Sequence, residues 1–271
     1  MLKKVIGSVF IFSLLGCGSD QNSNLLGLAD SANANNSAVL IGAPNGLAGV
    51  PTDILEMKKI FKENSYNFKF NSVKVIEDAS IQEVLDLTKE TALNANTLFW
   101  YFSGHGDTGQ LLANDGTFSF GQVASAIKKA RHNKPLDRLI VVLDSCYSGS
   151  FVDGSSPIIE ENGKYITKKE LAENIMQSFI SKDENLYKQA FVFASSTKYQ
   201  TSEDDGAEHG GAFTYSMRRT LKRLNELTPE VTIEKFAQDT QALTEKEYSH
   251  QPVWKAYPTQ TVLQDKLFIY K

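Results

Sequence analysis

The chain has 271 residues, 41% of them hydrophobic, with 28 Lys and Arg against 32 Asp and Glu and a formal net charge of −4. That mild acidity argues against nucleic acid as a partner, since such binding needs a basic face or stripe. No internal repeat is visible, and no run of residues reaches the roughly 20 apolar positions that a membrane-spanning helix requires.

The first feature in chain order is a leader. "MLKKVIGSVFIFSLLGCGSD" sets two lysines before a short apolar run, Val5 to Leu15, and then small residues, the layout of a secretory signal. Leu14-Leu15-Gly16-Cys17 resembles the lipobox of bacterial lipoproteins, where the cut falls before a cysteine that becomes diacylated. An ordinary secretory cut nearby or an uncleaved anchor would leave the position of Cys17 a coincidence. The expected organisation is a signal peptide over 1–16, lipidated Cys17 with a flexible tether over 17–37, and one folded domain over 38–271. The tether is expected from a stretch rich in Asn, Ser and Ala without sustained period. Membrane attachment would then be through Cys17, in the bacterial cell envelope. Gly18 rather than Asp after Cys17 lacks the inner-membrane retention signal of enteric bacteria, which favours the outer membrane. Removal of the leader takes Lys3 and Lys4 and leaves 26 basic against 32 acidic residues, a net −6. With Cys17 acylated, Cys146 is an unpaired thiol in an exported protein.

Beyond Ala38, roughly 230 residues suffice for one α/β domain with a proper core. "AVLIGA" (38–43) reads as a buried strand, and "TDILEMKKIFKEN" spaces Ile54, Leu55, Met57 and Phe61 as a helix does. Strand "SVKVIE" precedes helix "SIQEVLDLTKETAL", opened by a capping box from Ser80 to Glu83. Strand "TLFWYFS" (97–103) leads into a glycine-rich excursion, a helix near 120–130 and strand "RLIVVLD" (138–144). An insertion over about 147–189 carries one helix, "TKKELAENIMQSFIS". Strand "AFVFASS", a polar loop, helices over 212–227 and 232–246, and a last strand "KLFIY" complete the chain. Strands that are apolar throughout and alternate with helices imply a mostly parallel sheet covered on both faces, with ligands bound beyond the carboxyl ends of the strands.

Two of those ends carry reactive groups. "YFSGHG" sets His105 just past one strand, and "DSCYSG" sets Cys146 just past the next strand in the pattern. Adjacent strands lie about 4.8 Å apart, close enough to bring imidazole and thiol together, and the flanking glycines let backbone amides approach a substrate. The competing readings are a buried inert thiol and a turn histidine. His132, His209 and His250 lack any such context and read as exposed or packed.

Ser-Gly-His-Gly followed 41 residues later by Asp-Ser-Cys-x-Ser-Gly, counted from His105 to Cys146, resembles the caspase-like cysteine peptidases, in particular metacaspases and bacterial orthocaspases. The likeness extends from about Ala38 to the C-terminus, through "GLAGVPTDILEMKKIF" and "GGAFTYSMRRTL". It implies a three-layer caspase-like α/β fold, with His105 and Cys146 as the catalytic dyad and the N–H groups of Gly106 and Cys146 as oxyanion donors. A nearby imidazole raises the thiolate fraction or protonates the leaving amine, and backbone amides hold the developing oxyanion. The resemblance also implies a substrate pocket of Asp53, Ser103 and Asp144 that takes a protein or peptide through Arg or Lys before the cut. Two carboxylates in a dry pocket attract a cation and reject an acid. Asp53 has a competing role as a helix N-cap with Glu56 as its capping-box partner. The family commonly has Cys where this chain has Val50, which touches the fine shape of the pocket.

No cofactor is required by this chemistry and no metal ligand set is assigned. Calcium activates many metacaspases through a set of acids, of which only Asp153 falls at a matching place. Glu203, Asp204 and Asp205 form a short acidic run of the kind that usually faces solvent. Two further readings stay open: a catalytically idle caspase-like domain serving as an envelope binding or scaffold module, and a clostripain- or gingipain-type peptidase of the same clan.

Overall fold

The computed structural model describes residues 35–62, 70–153, 159–161, 164–166, 184–227 and 232–257. The putting together of the sheet follows from strands with no polar face. Strand β1 (Asn36–Ala43) is buried along its whole length. It lies between β2 (Ser72–Glu77) and β3 (Thr97–Gly104), parallel to both. β3 pairs in parallel with β7 (Leu136–Asp144), and β7 with β10 (Tyr187–Ala194). β11 (Val253–Tyr257) closes the edge antiparallel to β10, giving the order β11-β10-β7-β3-β1-β2. The last described strand is thus Val253–Tyr257, which the sequence pattern did not single out; the expected strand "KLFIY" lies outside the described residues.

Successive side chains of a strand point to opposite faces, and each face here has its own core. Trp100, Phe102, Val141, Leu143 and Val192 face α2 (Ile81–Ala92) and α3 (Phe120–Ala130), meeting Val84, Phe120, Val123 and Ile127. The alternate residues Leu40, Tyr101, Val142, Phe191 and Phe193 face α1 (Val50–Lys62), α6 (Ala212–Leu227) and α7 (Ile233–Glu247). The result is the three-layer, mostly parallel α/β arrangement expected of a caspase-like fold. Helix α2 opens with the expected capping box: Ser80 N donates to Glu83 Oε2 at 2.9 Å, and Glu83 N donates to Ser80 Oγ at 3.3 Å.

Helix α1 starts earlier than expected, because Asp53 N already donates to Gly49 O at 3.0 Å. Pro51, which cannot donate, is accommodated in this first turn. Asp53 is therefore within the helix and not its N-cap. Glu56 does not act as a capping partner either; it pairs with Lys59 at 2.7 Å and Arg218 at 3.2 Å.

The glycine-rich excursion after His105 is a small antiparallel sheet of β4 (Gly106–Asp107), β5 (Gln110–Ala113) and β6 (Gly116–Phe118). Leu111 and Phe118 bury its inner side in the α2/α3 core, which fixes the chain that carries His105. After β7 come a short helix α4 (Ser150–Asp153) and a hairpin of β8 (Ile159–Glu161) and β9 (Lys164–Ile166), and a single helical turn, α5 (Gly206–His209), precedes α6. The expected helix "TKKELAENIMQSFIS", the leader, Cys17 and the tether lie outside the described residues. Among the described residues no helix is long and apolar enough to cross a membrane.

Candidate active site

The parallel strands end along one edge of the sheet, and register sets what meets there. Ser103 at the end of β3 stands opposite Asp144 at the end of β7, and Gly42 of β1 stands opposite Ser103. His105 and Cys146 each follow two residues beyond that level. Both line one pocket with about 90 Å³ of free space, which Asp53, Ser103 and Asp144 also line. The five side chains singled out from the sequence, drawn from three separate elements, thus converge.

Cys146 is half-buried, and its Sγ lies 3.8 Å from Ser202 O. The chain turns sharply behind it: Tyr147 has φ 55, a left-handed conformation that costs a non-glycine residue energy. Tyr147 N donates to Gln200 O at 2.8 Å, and Ser150 N donates to Tyr147 O at 2.9 Å. His105 Nε2 is 3.3 Å from Asn45 O, in the loop after β1. When Nε2 carries the proton it donates to that carbonyl and leaves Nδ1 with its lone pair. Gly106 passes so close to the thiol loop that a Cβ there would stand 2.8 Å from Cys146 O and Ser145 Oγ. No larger residue fits, and the backbone of Gly106 is accordingly held against that of Cys146.

The pocket's charge comes from carboxylates. Asp53 is fully buried; its Oδ2 accepts from Ser103 Oγ at 2.7 Å and its Oδ1 from Gly211 N at 2.9 Å. Burial first, and the Asp144 charge second, push its carboxyl well above the usual range. Asp144 Oδ2 accepts from Thr214 N at 3.0 Å and Thr214 Oγ1 at 2.7 Å, and its Oδ1 accepts from Ser202 Oγ at 2.9 Å. Burial raises Asp144 too, against the pull of the Thr214 bonds. Gly211 makes the two acids neighbours: a Cβ there would stand 2.3 Å from Asp144 Oδ2 and 2.9 Å from Asp53 Oδ2.

The acidic run after β10 remains largely exposed to solvent, as expected of it, but two of its members also reach the pocket. Glu203 and Asp204 line the pocket. Asp204 Oδ2 accepts from Gly49 N at 3.2 Å, and Glu203 Oε1 accepts from Ser249 N at 2.7 Å. Asp205 faces outward, accepting from Tyr248 OH at 2.8 Å and standing 3.0 Å from His209 Nδ1. Ser202, Glu203, Asp204 and Thr214 are the site residues that the sequence reading missed. The two consecutive glycines before "AFTYS" were the available signal, since they let backbone pass between the acids. Among the remaining histidines, His250 is 2% exposed and sits 3.7 Å from Glu203 Oε1. His209 stacks on Tyr215 with ring centroids 4.6 Å apart.

Among the described residues no group of three or more His, Cys, Asp or Glu is arranged to hold a metal ion.

Fold and site together define a three-layer α/β protein of caspase-like type, with a thiol and an imidazole at the carboxyl edge of its sheet. A family model described as the caspase domain, Peptidase C14, matches residues 33–263, and the chain belongs to that family of cysteine peptidases. No curated protein matches the chain.

Proposed function

We propose that the protein is an endopeptidase that cuts after Arg or Lys through Cys146 and His105. The observation that carries this reading is the single pocket in which thiol and imidazole stand beside two buried, neighbouring carboxylates, Asp53 and Asp144, with no Lys or Arg among its lining residues.

In this mechanism the Cys146 thiol gives its proton to the His105 imidazole and the sulfur attacks the scissile carbonyl carbon. The negative charge that develops on the carbonyl oxygen is taken by the N–H groups of Gly106 and Cys146, whose backbones the glycine at 106 allows to come together. His105, oriented by the Asn45 carbonyl, delivers a proton to the leaving amine as the C–N bond breaks. The acyl group is left on Sγ. Water, deprotonated by the same imidazole, then releases it as a carboxylic acid and restores the thiol.

A basic side chain before the cut supplies a counter-charge inside the pocket, where no lining Lys or Arg provides one. A guanidinium can engage both acids through its planar fork, whereas an ammonium offers a compact point charge, so Arg should exceed Lys. An Asp side chain would bring a further negative charge against a buried carboxylate pair and is rejected. Attachment to the bacterial envelope through lipid on Cys17, with the outer membrane favoured, belongs to the same proposal and rests on the leader sequence.

Labelling with peptidyl chloromethyl ketones tests the reading and separates it from an idle scaffold domain. An Arg ketone should alkylate Cys146 much faster than its Leu or Asp counterpart, and Asp144→Asn should remove that advantage. Absence of labelling by the Arg ketone, or equal rates for all three, would contradict it.

A further inference from the structure

We propose that Thr214 is a positioning residue for substrate selection: it holds Asp144 as the charged member of the carboxylate pair, and Tyr101 orients it for that task. The inference deepens the basic-pocket reading above and rests on it.

Thr214 is the third residue of α6 and is fully buried, and it is not among the residues lining the pocket. In the first turn of a helix a backbone N–H has no partner within the helix. That of Thr214 instead reaches Asp144 Oδ2 at 3.0 Å, and its hydroxyl reaches the same oxygen at 2.7 Å. A threonine hydroxyl has one proton to give. With that proton on Asp144, the 2.6 Å contact between Thr214 Oγ1 and Tyr101 OH has only one polarity, Tyr101 donating. The hydrogen bonds therefore run from Tyr101 through Thr214 to Asp144, and Tyr101 is itself fully buried.

This chain makes the two pocket acids unequal. Asp144 accepts three hydrogen bonds, two of them from Thr214, whereas Asp53 accepts two, from Ser103 and Gly211. Like charges held together in a buried site resist double ionisation, and donors aimed at one carboxylate decide which of the two carries the charge. Every other element packed around Asp144 also presents a polar group. Asp53 comes from α1, Ser103 from β3, Ser202 and Glu203 from the loop after β10, and His250 from the segment before β11. Burial lowers the His250 pKa, so the imidazole brings Asp144 little positive charge at neutral pH and the Thr214 donors keep their weight.

The sign of the effect follows. Removing a donor from ionised Asp144 raises its pKa, so the pocket loses its charge at a higher pH and basic substrates are lost sooner on acidification. The test is the pH profile of kcat and KM on an Arg peptide for wild type, Thr214→Val and Thr214→Ser. In Thr214→Val, KM should rise about tenfold and the acid limb of kcat/KM should move up by about one pH unit, a tenfold change corresponding to one pKa unit. Meanwhile kcat and the rate of Cys146 alkylation by iodoacetamide should stay near wild type. Thr214→Ser, which keeps the hydroxyl, should restore both the KM and the limb. An unchanged KM and limb in Thr214→Val, or an equal loss of kcat on Arg and Leu peptides, would overturn the proposal. Should Thr214→Val fail to fold, Tyr101→Phe carries the same test: a smaller limb shift in the same direction supports the proposal, and an unmoved limb overturns it. A wild type with no preference for Arg overturns the pocket reading and this inference together; a full preference kept by Thr214→Val overturns this inference alone.

Discussion

Replacing Gly211 by Ala tests the pocket through a single methyl group. The new Cβ would stand 2.3 Å from Asp144 Oδ2, 2.9 Å from Asp144 Cγ and 2.9 Å from Asp53 Oδ2. Ordinary contact begins near 3.5 Å, so the Asp144 carboxylate has to retreat by about 1 Å. A displacement of that size in a substrate-positioning group costs on the order of 100-fold, or about 2.7 kcal/mol in transition-state stabilisation. Overpacking itself destabilises a fold by about 1–3 kcal/mol, which for a domain of this size lowers the melting temperature by roughly 2–12 °C. Gly211→Ala should therefore remain folded at 25 °C, lose about 100-fold in kcat/KM on an Arg peptide, and react with iodoacetamide as wild type does. A folded variant with wild-type efficiency on the Arg peptide would refute the placement of substrate between Asp53 and Asp144.

Cys146→Ala and His105→Ala should each abolish peptide hydrolysis while changing stability by less than about 1 kcal/mol, because neither side chain is part of the core; a loss of about 2–5 kcal/mol in denaturant melts of Cys146→Ala would instead mark a core thiol. The raised Asp53 pKa means that the native state holds this proton more tightly than the unfolded chain does. Stability is thus lost as pH rises from the unfolded pKa towards the folded one. Asp53→Asn should accordingly melt higher than wild type at neutral pH, with the gap closing in acid below the unfolded carboxylate pKa, and should lose activity on Arg peptides; an equal or lower melting temperature at pH 7 would count against a raised carboxyl pKa at this place. Cys17→Ser should move the protein from the membrane to the soluble fraction, and a variant that still sediments with membranes at high salt would refute the lipid anchor.

The layered fold was legible because its signals are local. Four of the five parallel strands are apolar on both faces over most of their length, and the Ser80–Glu83 box announces α2 within four residues. His105 and Cys146 were legible for the same reason, each lying in a short glycine-bearing motif at a strand end. What escaped depends on contacts distant in sequence. The hydrogen bond from Gly211 to Asp53 spans 158 residues, and that from Thr214 to Asp144 spans 70. No local pattern shows that Glu203 and Asp204 reach the pocket while Asp205 does not. Asp53 had the local look of a cap, but Gly49 begins the helix and tertiary bonds from Ser103 and Gly211 claim the carboxylate. Strand β11 is five residues long with Lys255 in its centre, a weak pattern that becomes a strand because the edge of β10 is there to pair with it.

The central claim is that a buried pair of acids beside Cys146 selects a basic side chain. It is tested most directly by kcat/KM for four fluorogenic peptides identical except for Arg, Lys, Asp or Leu before the cut. The account predicts Arg above Lys, both far above Leu, and no detectable turnover of Asp; efficient cleavage of the Asp peptide by the wild-type protein would contradict it.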